Sequence, residues 1–309
     1  MPLQNREREV DIMQKPKISV IMGVYNQWNV TALKNAVRSI LDQTWEDFEF
    51  IIFDDGSHPD AAKYIKGLAD LDSRIRIIGG TENRGLAHSL NECIRYANGI
   101  YIARMDADDI SLPMRLEKQY HFLEKHPSYA WCGCNTKLFD SHGIWGMRIM
   151  PEMPQREDYL KYSPYVHPSV MYRREIFDKE NGYLESEETL RCEDYEIFMR
   201  FAEKGLKGYN LQETLFCYRE EFASYRKRTF HFRCNEAKIR YRNFKKMGLL
   251  FPFGWLYVIR PIIGSLLPAS VIAFVKKREA AADQKKSEEY EHEPAVRTVS
   301  QYTFPKSTT

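Results

Sequence analysis

The stretch KISVIMGVY, residues 17 to 25, is an almost unbroken apolar run rich in β-branched residues. That is the composition of a strand buried on both faces rather than one with a wet side. The period then changes: Val30, Leu33, Val37, Ile40 and Leu41 recur every three or four positions, as on one stripe of an α-helix. FEFIIF at 48–53 repeats the strand pattern, and a helix with Ala62, Ile65 and Leu68 on one face follows. RIRII at 74–78, a helix through Leu86, Leu90 and Ile94, and the short run YIA at 101–103 continue the alternation. Strand and helix at this cadence require right-handed crossovers and predict an α/β fold with a mainly parallel central sheet flanked by helices. Ligands of such sheets bind outside the carboxyl ends of the strands.

Those ends are acidic. Asp54 and Asp55 follow FEFIIF, and Asp106, Asp108 and Asp109 follow YIAR in the segment MDADD. Carboxylates a few ångströms apart resist joint ionisation, so such a cluster needs positive charge among it. A divalent metal is the simplest candidate, and hard oxygen ligands suit Mg²⁺ or Mn²⁺ completed by substrate phosphates. The plainer alternatives are a turn for DDGS and a solvated loop or helix cap for MDADD, with Asp109 expected to be only the latter.

Composition limits the rest. The 309 residues carry a net charge of only +2, which argues against bulk electrostatic binding to nucleic acid. The six cysteines form no CxxC pair and no zinc-ligand ladder, so neither a disulfide framework nor structural zinc is expected, and a reducing, cytoplasmic compartment fits. Residues 1–16 hold no apolar stretch of signal-peptide length and read as a flexible polar leader. Past Ala130 the rhythm breaks into short irregular runs, WCGC, KLFD and GMRIM, until a helix returns at DYEIFMRFAEKG with Glu193 and Asp194 at its start, where a helix dipole favours acids. Between Tyr225 and Lys246 nine Lys or Arg residues stand against one acid, Glu236. The apolar runs that follow, Leu249 to Ile259 and Pro261 to Val275, are divided by Arg260-Pro261. After Arg278 the tail is polar, and disorder is expected.

VIMGVYN, DDGS (54–57), NRG (83–85), MDADD (105–109) and CEDYEIFMR (192–200) stand in an order and spacing that resembles the family 2 glycosyltransferases, more narrowly the exopolysaccharide-operon type of Gram-positive bacteria. The resemblance covers about Lys17 to Glu220. It implies a GT-A catalytic domain over 17–222, followed by a helical extension at 223–278 and a tail at 279–309. It also implies an inverting transfer from a nucleotide-diphosphate sugar, a UDP-sugar by expectation, to a hydroxyl of a lipid-linked or growing polysaccharide acceptor. By the family's pattern Gly23, Tyr25, Asn26 and Asp55 hold the nucleoside, Arg84 lies near base and phosphates, and Asp106 and Asp108 form the DxD pair on Mg²⁺ or Mn²⁺. Asp194 matches the general base, with Glu193 as its substitute. His167 is expected to line the acceptor pocket, and Arg219 to reach the diphosphate or form a structural ion pair.

A spanning helix needs about 20 apolar residues. The two shorter runs, with a proline expected to break the helix between them, instead predict interfacial helices, and the basic stretch before them would favour an anionic surface. The enzyme is therefore expected on the inner face of the cell membrane, in reach of other polysaccharide-synthesis proteins. The alternatives are a hydrophobic helix packed on the catalytic domain or in a dimer, a nucleotidyltransferase on the same fold plan, and a non-catalytic protein acting through its basic carboxy-terminal surface.

Overall fold

The computed structural model describes residues 16–221 and 229–290. The first half follows the predicted alternation: β1 (Ile18–Val24), α1 (Val30–Leu41), β2 (Phe48–Asp55), α2 (Pro59–Lys66), β3 (Ile75–Gly80), α3 (Leu86–Tyr96) and β4 (Tyr101–Arg104). These strands lie in the order β3-β2-β1-β4, all parallel. Because side chains alternate across a strand, β1 feeds two cores. Ile18, Val20 and Met22 pack with Leu33, Val37 and Ile40 of α1 on one face, and Ile21 packs with Leu90 of α3 on the other. Each side chain of this size contributes about 1.5–3 kcal/mol when fully buried. Asn29 caps α1 by accepting the Ala32 N–H at 3.0 Å.

The second half comprises β5 (Ile110–Ser111), α4 (Arg115–Lys125), β6 (Trp131–Asp140), β7 (Gly143–Arg148), β8 (Met171–Arg173), α5 (Glu175–Glu180), α6 (Glu193–Glu203) and β9 (Gly208–Arg219). They extend the same sheet as β4-β8-β6-β9-β5, with β7 on β6. Here the pairings are antiparallel except β6 with β9. The irregular runs WCGC and KLFD are one strand, β6, and GMRIM begins inside its hairpin partner. Eight of ten β6 residues are buried, so the polar alternation that marks a half-wet strand is missing. Trp131 meets Phe198 and Phe201 of α6 with ring centroids 5.7 and 5.8 Å apart.

Three helices follow: α7 (Phe230–Lys246), α8 (Gly254–Gly264) and α9 (Ala269–Tyr290). Ile239 and Phe244 of α7 join the core beside α6, and Tyr257 and Val258 of α8 pack against it. Three expectations change here. Pro261 lies inside α8, and the break falls at Gly264 instead. The tail expected to be disordered from 279 is helical to Tyr290, because α9 has a partner: a Cβ on Gly146 of β7 would lie 2.7 Å from Ala280, and Asp283 accepts the Ile149 N–H at 3.3 Å. Four of the six described cations of the basic stretch are also committed to the protein itself. Arg233 and Arg240 pair with Glu236, Arg242 with Glu188 and Lys246 with Glu203. Residues 1–15, 222–228 and 291–309, which include the leader, Arg226 to Arg228 and the rest of the tail, lie outside the described residues.

Among the described residues no helix is long and apolar enough to cross a membrane. Eleven large apolar side chains between 251 and 275 are nevertheless exposed, from Phe251 (79%) and Phe253 (67%) to Leu266 (78%) and Phe274 (68%). So the extension packs one side on the catalytic domain and leaves the other bare.

Candidate active site

The strand ends are tied together by their polar side chains. Asn26, at φ 44°, donates its N–H to Ser57 Oγ (2.9 Å) and accepts the His58 N–H (2.8 Å), which locks the tip of β1 to the tip of β2. Tyr25 stands half-exposed beside it. Gly23 serves packing: a Cβ there would come within 2.8 Å of Ser89 on α3. Asp54 makes the turn, accepting the Ser57 N–H at 3.0 Å.

Asp55 does something else. Only 2% exposed, it accepts the N–H groups of Arg84 (3.0 Å) and Gly85 (2.8 Å), at the start of α3. An acid there matches the helix dipole, and Gly85 at φ +92° supplies a backbone conformation that other residues resist. The carboxylate expected to grip a nucleoside is thus first the clamp of the NRG loop. Arg84 reaches outward to Glu185 (3.0 Å), which also meets His88 (3.1 Å) and Asn91 (3.0 Å). Burial alone would raise the Glu185 carboxyl, but the Asn91 donor and the His88 and Arg84 charges hold it below the usual range.

The acidic turn after β4 carries its own cations. Arg104, 1% exposed, places Nη1 2.5 Å from Asp106 Oδ1. From β9, Arg219 donates its backbone N–H to Asp109 Oδ1 (2.7 Å) and its Nε to the Asp108 carbonyl (3.1 Å). Its guanidinium also pairs with Glu221 at 3.0 Å and lies over the Phe139 ring. Arg219 therefore braces the turn, which favours the structural side of its expected roles. Asp109 is no solvated cap: it is 1% exposed, and burial, then Asp108 and Asp106, push its carboxyl well above the usual range. Part of the positive charge expected from a metal is thus supplied by Arg104, two residues before the acids and overlooked because it ends an apolar strand.

His167 is buried, with Nε2 2.7 Å from the Tyr183 hydroxyl. Burial and the Arg104 charge push its imidazole well below the ordinary range, so it is a neutral packed group beneath the site rather than the wall of an open pocket. Tyr183 is the residue the sequence reading missed. Burial pushes the pKa of its hydroxyl up, the Arg104 charge opposes this, and Asp194 and Asp106 add to it, so charges of the acidic turn and of the start of α6 both act on this one side chain. The signal was the preceding Asn181-Gly182, both at positive φ, a turn that delivers Tyr183 inward. Glu193, at the first position of α6, is pushed up chiefly by burial. With Arg84, Gly85, Thr189 and Leu190 it lines a cavity of about 280 Å³, so two residues singled out from distant motifs share one cleft.

Residues 19–180 match the model of the family described as glycosyl transferase family 2. The chain belongs to glycosyl transferase family 2. It is 38% identical over 265 residues to the glycosyltransferase EpsE of Bacillus subtilis, covering 85% of this chain and 94% of that protein. It is 32% identical over 209 residues to the O-antigen biosynthesis glycosyltransferase WbnJ of Escherichia coli, covering 65% and 79%. In structure it is similar to a mannosyltransferase of Pyrobaculum calidifontis solved with GDP-Man and Mn²⁺ (TM-score 0.56, 17% identity, 90% of this chain and 84% of the other). It is likewise similar to TarS 1–349 of S. aureus with UDP-GlcNAc (TM-score 0.55, 15% identity, 90% and 93%). The fold of this family 2 enzyme is GT-A, and its family assigns it glycosyl transfer rather than nucleotidyl transfer.

A divalent metal fits the residues in a limited sense. Among the described residues no group of three or more His, Cys, Asp or Glu side chains is set to hold one alone. Asp106 and Asp108 offer hard oxygens, and Asp109 Oδ2 is buried without a hydrogen-bond partner. Two carboxylates plus substrate phosphates is an ordinary environment for Mg²⁺.

Proposed function

We propose that this enzyme moves a sugar from a UDP-sugar to a hydroxyl of a lipid-linked or growing polysaccharide acceptor, with inversion, in exopolysaccharide or capsule synthesis at the inner face of the cell membrane. The observation that supports the reading is the cleft that Arg84 and Gly85 of the NRG loop share with Glu193 at the start of α6, since Glu193 is the chain neighbour of Asp194 and Gly85 is held by Asp55. The relatives EpsE and WbnJ, and the binding of UDP-GlcNAc by TarS, favour the polysaccharide context and the UDP donor.

Each residue then has a task. Asp55 fixes the Arg84–Gly85 turn and offers its remaining lone pairs to the nucleoside, beside Gly23, Tyr25 and Asn26. Arg84 faces the donor from the cleft rim. Asp106 and Asp108 would hold Mg²⁺ or Mn²⁺, which when bound offsets the negative charge growing on the departing diphosphate. Asp194 takes the proton of the acceptor hydroxyl as that oxygen bonds to the anomeric carbon. The bond from that carbon to the diphosphate oxygen breaks, and its electron pair leaves with UDP. Attack from the face opposite the leaving group inverts the centre. Glu193, next to Asp194 in the chain and with its own carboxyl raised chiefly by burial, is the substitute base.

The test is UDP release and transfer by the purified full-length protein across a panel of UDP-sugars with Mn²⁺. Asp194→Asn should cut transfer by about 10²–10⁴-fold, the usual worth of a positioned base, with UDP binding retained. Asp108→Asn should remove the Mn²⁺ dependence of UDP binding. Folded variants that both transfer sugar at the parent rate would end the assignment.

A further inference from the structure

A cavity of about 510 Å³ lies between α7 and α8, within the about 300–1,000 Å³ range of small-molecule sites. Its walls are apolar: Cys234, Ala237 and Tyr241 from α7, Val258 and Ile262 from α8. Its polar residues are Lys238, Arg242 and Glu188, two cations and one anion, with Arg242 held at 2.6 Å from Glu188. An apolar trough with a net positive rim matches a hydrocarbon chain that ends in a phosphate.

Its position relative to the candidate active site narrows the occupant. Residues 185–190 wall both cavities: Glu185, Ser186, Glu187, Thr189 and Leu190 face the polar cleft with Arg84 and Glu193, while Glu188 faces the trough. This segment is pinned on both sides. Glu185 is tied to Arg84, His88 and Asn91, and the Glu187 carbonyl accepts from Asn235 of α7 at 3.2 Å. Beyond the trough, α8 continues into exposed Trp255, Ile259 and Ile263. Apolar helix surface, apolar trough, cationic rim and polar cleft thus follow one another.

We infer that the trough between α7 and α8 binds the hydrocarbon chain of a lipid-phosphate-linked acceptor, with Lys238 and Arg242 on its phosphate and the segment 185–190 as the sill over which the sugar reaches the cleft. This rests on the transferase reading above and selects the lipid-linked acceptor over a free polysaccharide end.

Cys234 gives a direct readout, since it lines the trough and the other five cysteines are buried. The experiment measures the rate at which a maleimide labels Cys234 in the full-length protein, without donor, in the presence of farnesyl phosphate, farnesol, inorganic phosphate, or phosphatidylglycerol vesicles free of prenyl phosphate. Farnesyl phosphate should slow labelling at least tenfold and saturably, farnesol less, and inorganic phosphate not at all. In folded Ile262→Trp, where an indole fills the trough, farnesyl phosphate should no longer change the rate. Equal protection by the vesicles would mean a general membrane contact and overturn the proposal, as would no protection by farnesyl phosphate. Because no donor is present, protection together with failed sugar transfer would sink the transferase reading and leave a lipid-phosphate site standing. Transfer without protection would do the reverse.

Discussion

Arg104 Nη1 lies 2.5 Å from the Asp106 carboxylate while the arginine side chain is 1% exposed. A fully buried guanidinium under an acidic turn keeps that turn folded before any donor arrives. Arg104 is buried but the Asp106 side chain is 29% exposed, so removing the arginine strands a partly solvated carboxylate and costs less than the about 3–5 kcal/mol of a fully buried pair. Arg104→Met should still lower Tm measurably. Adding Asp106→Asn should recover part of the loss, because the stranded charge goes with it. Thermal denaturation followed by circular dichroism decides this, and an unchanged Tm for Arg104→Met would show that the pair contributes nothing.

Asp109 gives the pH dependence. Its carboxyl is raised well above the usual range in the folded protein, chiefly by burial. The folded state therefore holds the proton to higher pH than the unfolded state, whose carboxyl titrates near about pH 4. Stability contributed at low pH is lost as pH rises from there through the folded value. Asp109→Asn keeps an acceptor for the Arg219 N–H and no longer titrates. Its Tm should match or trail the parent in acid and exceed it at neutral pH; parallel curves for the two proteins would contradict the assignment.

Gly85→Ala separates backbone strain from crowding. A Cβ there would meet only Leu190, at an ordinary 3.6 Å, but φ is +92°. The conformation costs a non-glycine residue about 1–3 kcal/mol. The turn should relax away from Asp55, which holds it by two N–H bonds. Steady-state kinetics should show KM for the donor rising more than kcat falls. An unaltered KM would mean that the clamp does not shape the donor site.

The exposed aromatics at the start of the extension should govern lipid attachment. Phe251, Phe253 and Trp255 project from the turn into α8, whereas Arg233, Arg240 and Lys246 are engaged by acids away from the trough. In vesicle flotation, changing the three aromatics to serine should release more protein than raising the salt to about 1 M, where the Debye length falls to about 3 Å. The opposite ranking would restore the basic stretch as the anchor.

Much of the first half was legible because its signals are local. The β-branched run of β1, the stripe of α1 and the acids after β2 and β4 each declare themselves within a dozen residues. The second half was not, since β6 is buried on both faces and β9, 12 residues long, takes its register from β6 rather than from its own pattern. The site divides the same way. Asp106, Asp108 and Asp194 are candidates from motif spacing, while Tyr183 and Arg104 emerge only through partners far away in sequence: Tyr183 through His167, Asp106 and Asp194, and Arg104 through His167 and Tyr183. The helix beyond 279 was invisible because its partner, β7, begins more than a hundred residues earlier.

Lys276 of α9 pairs with Glu220 at 2.5 Å, and Glu220 also holds Arg148 at 3.1 Å. Its neighbour Arg219 grips Asp108 and Asp109. Trimming the last helix to make the protein easier to handle would therefore loosen a rivet one residue from Arg219, the brace of the acidic turn. A shortened enzyme that is inactive has lost that support as well as any hold on lipid, and point changes on the outer helix surface are the cleaner tool for telling the two apart.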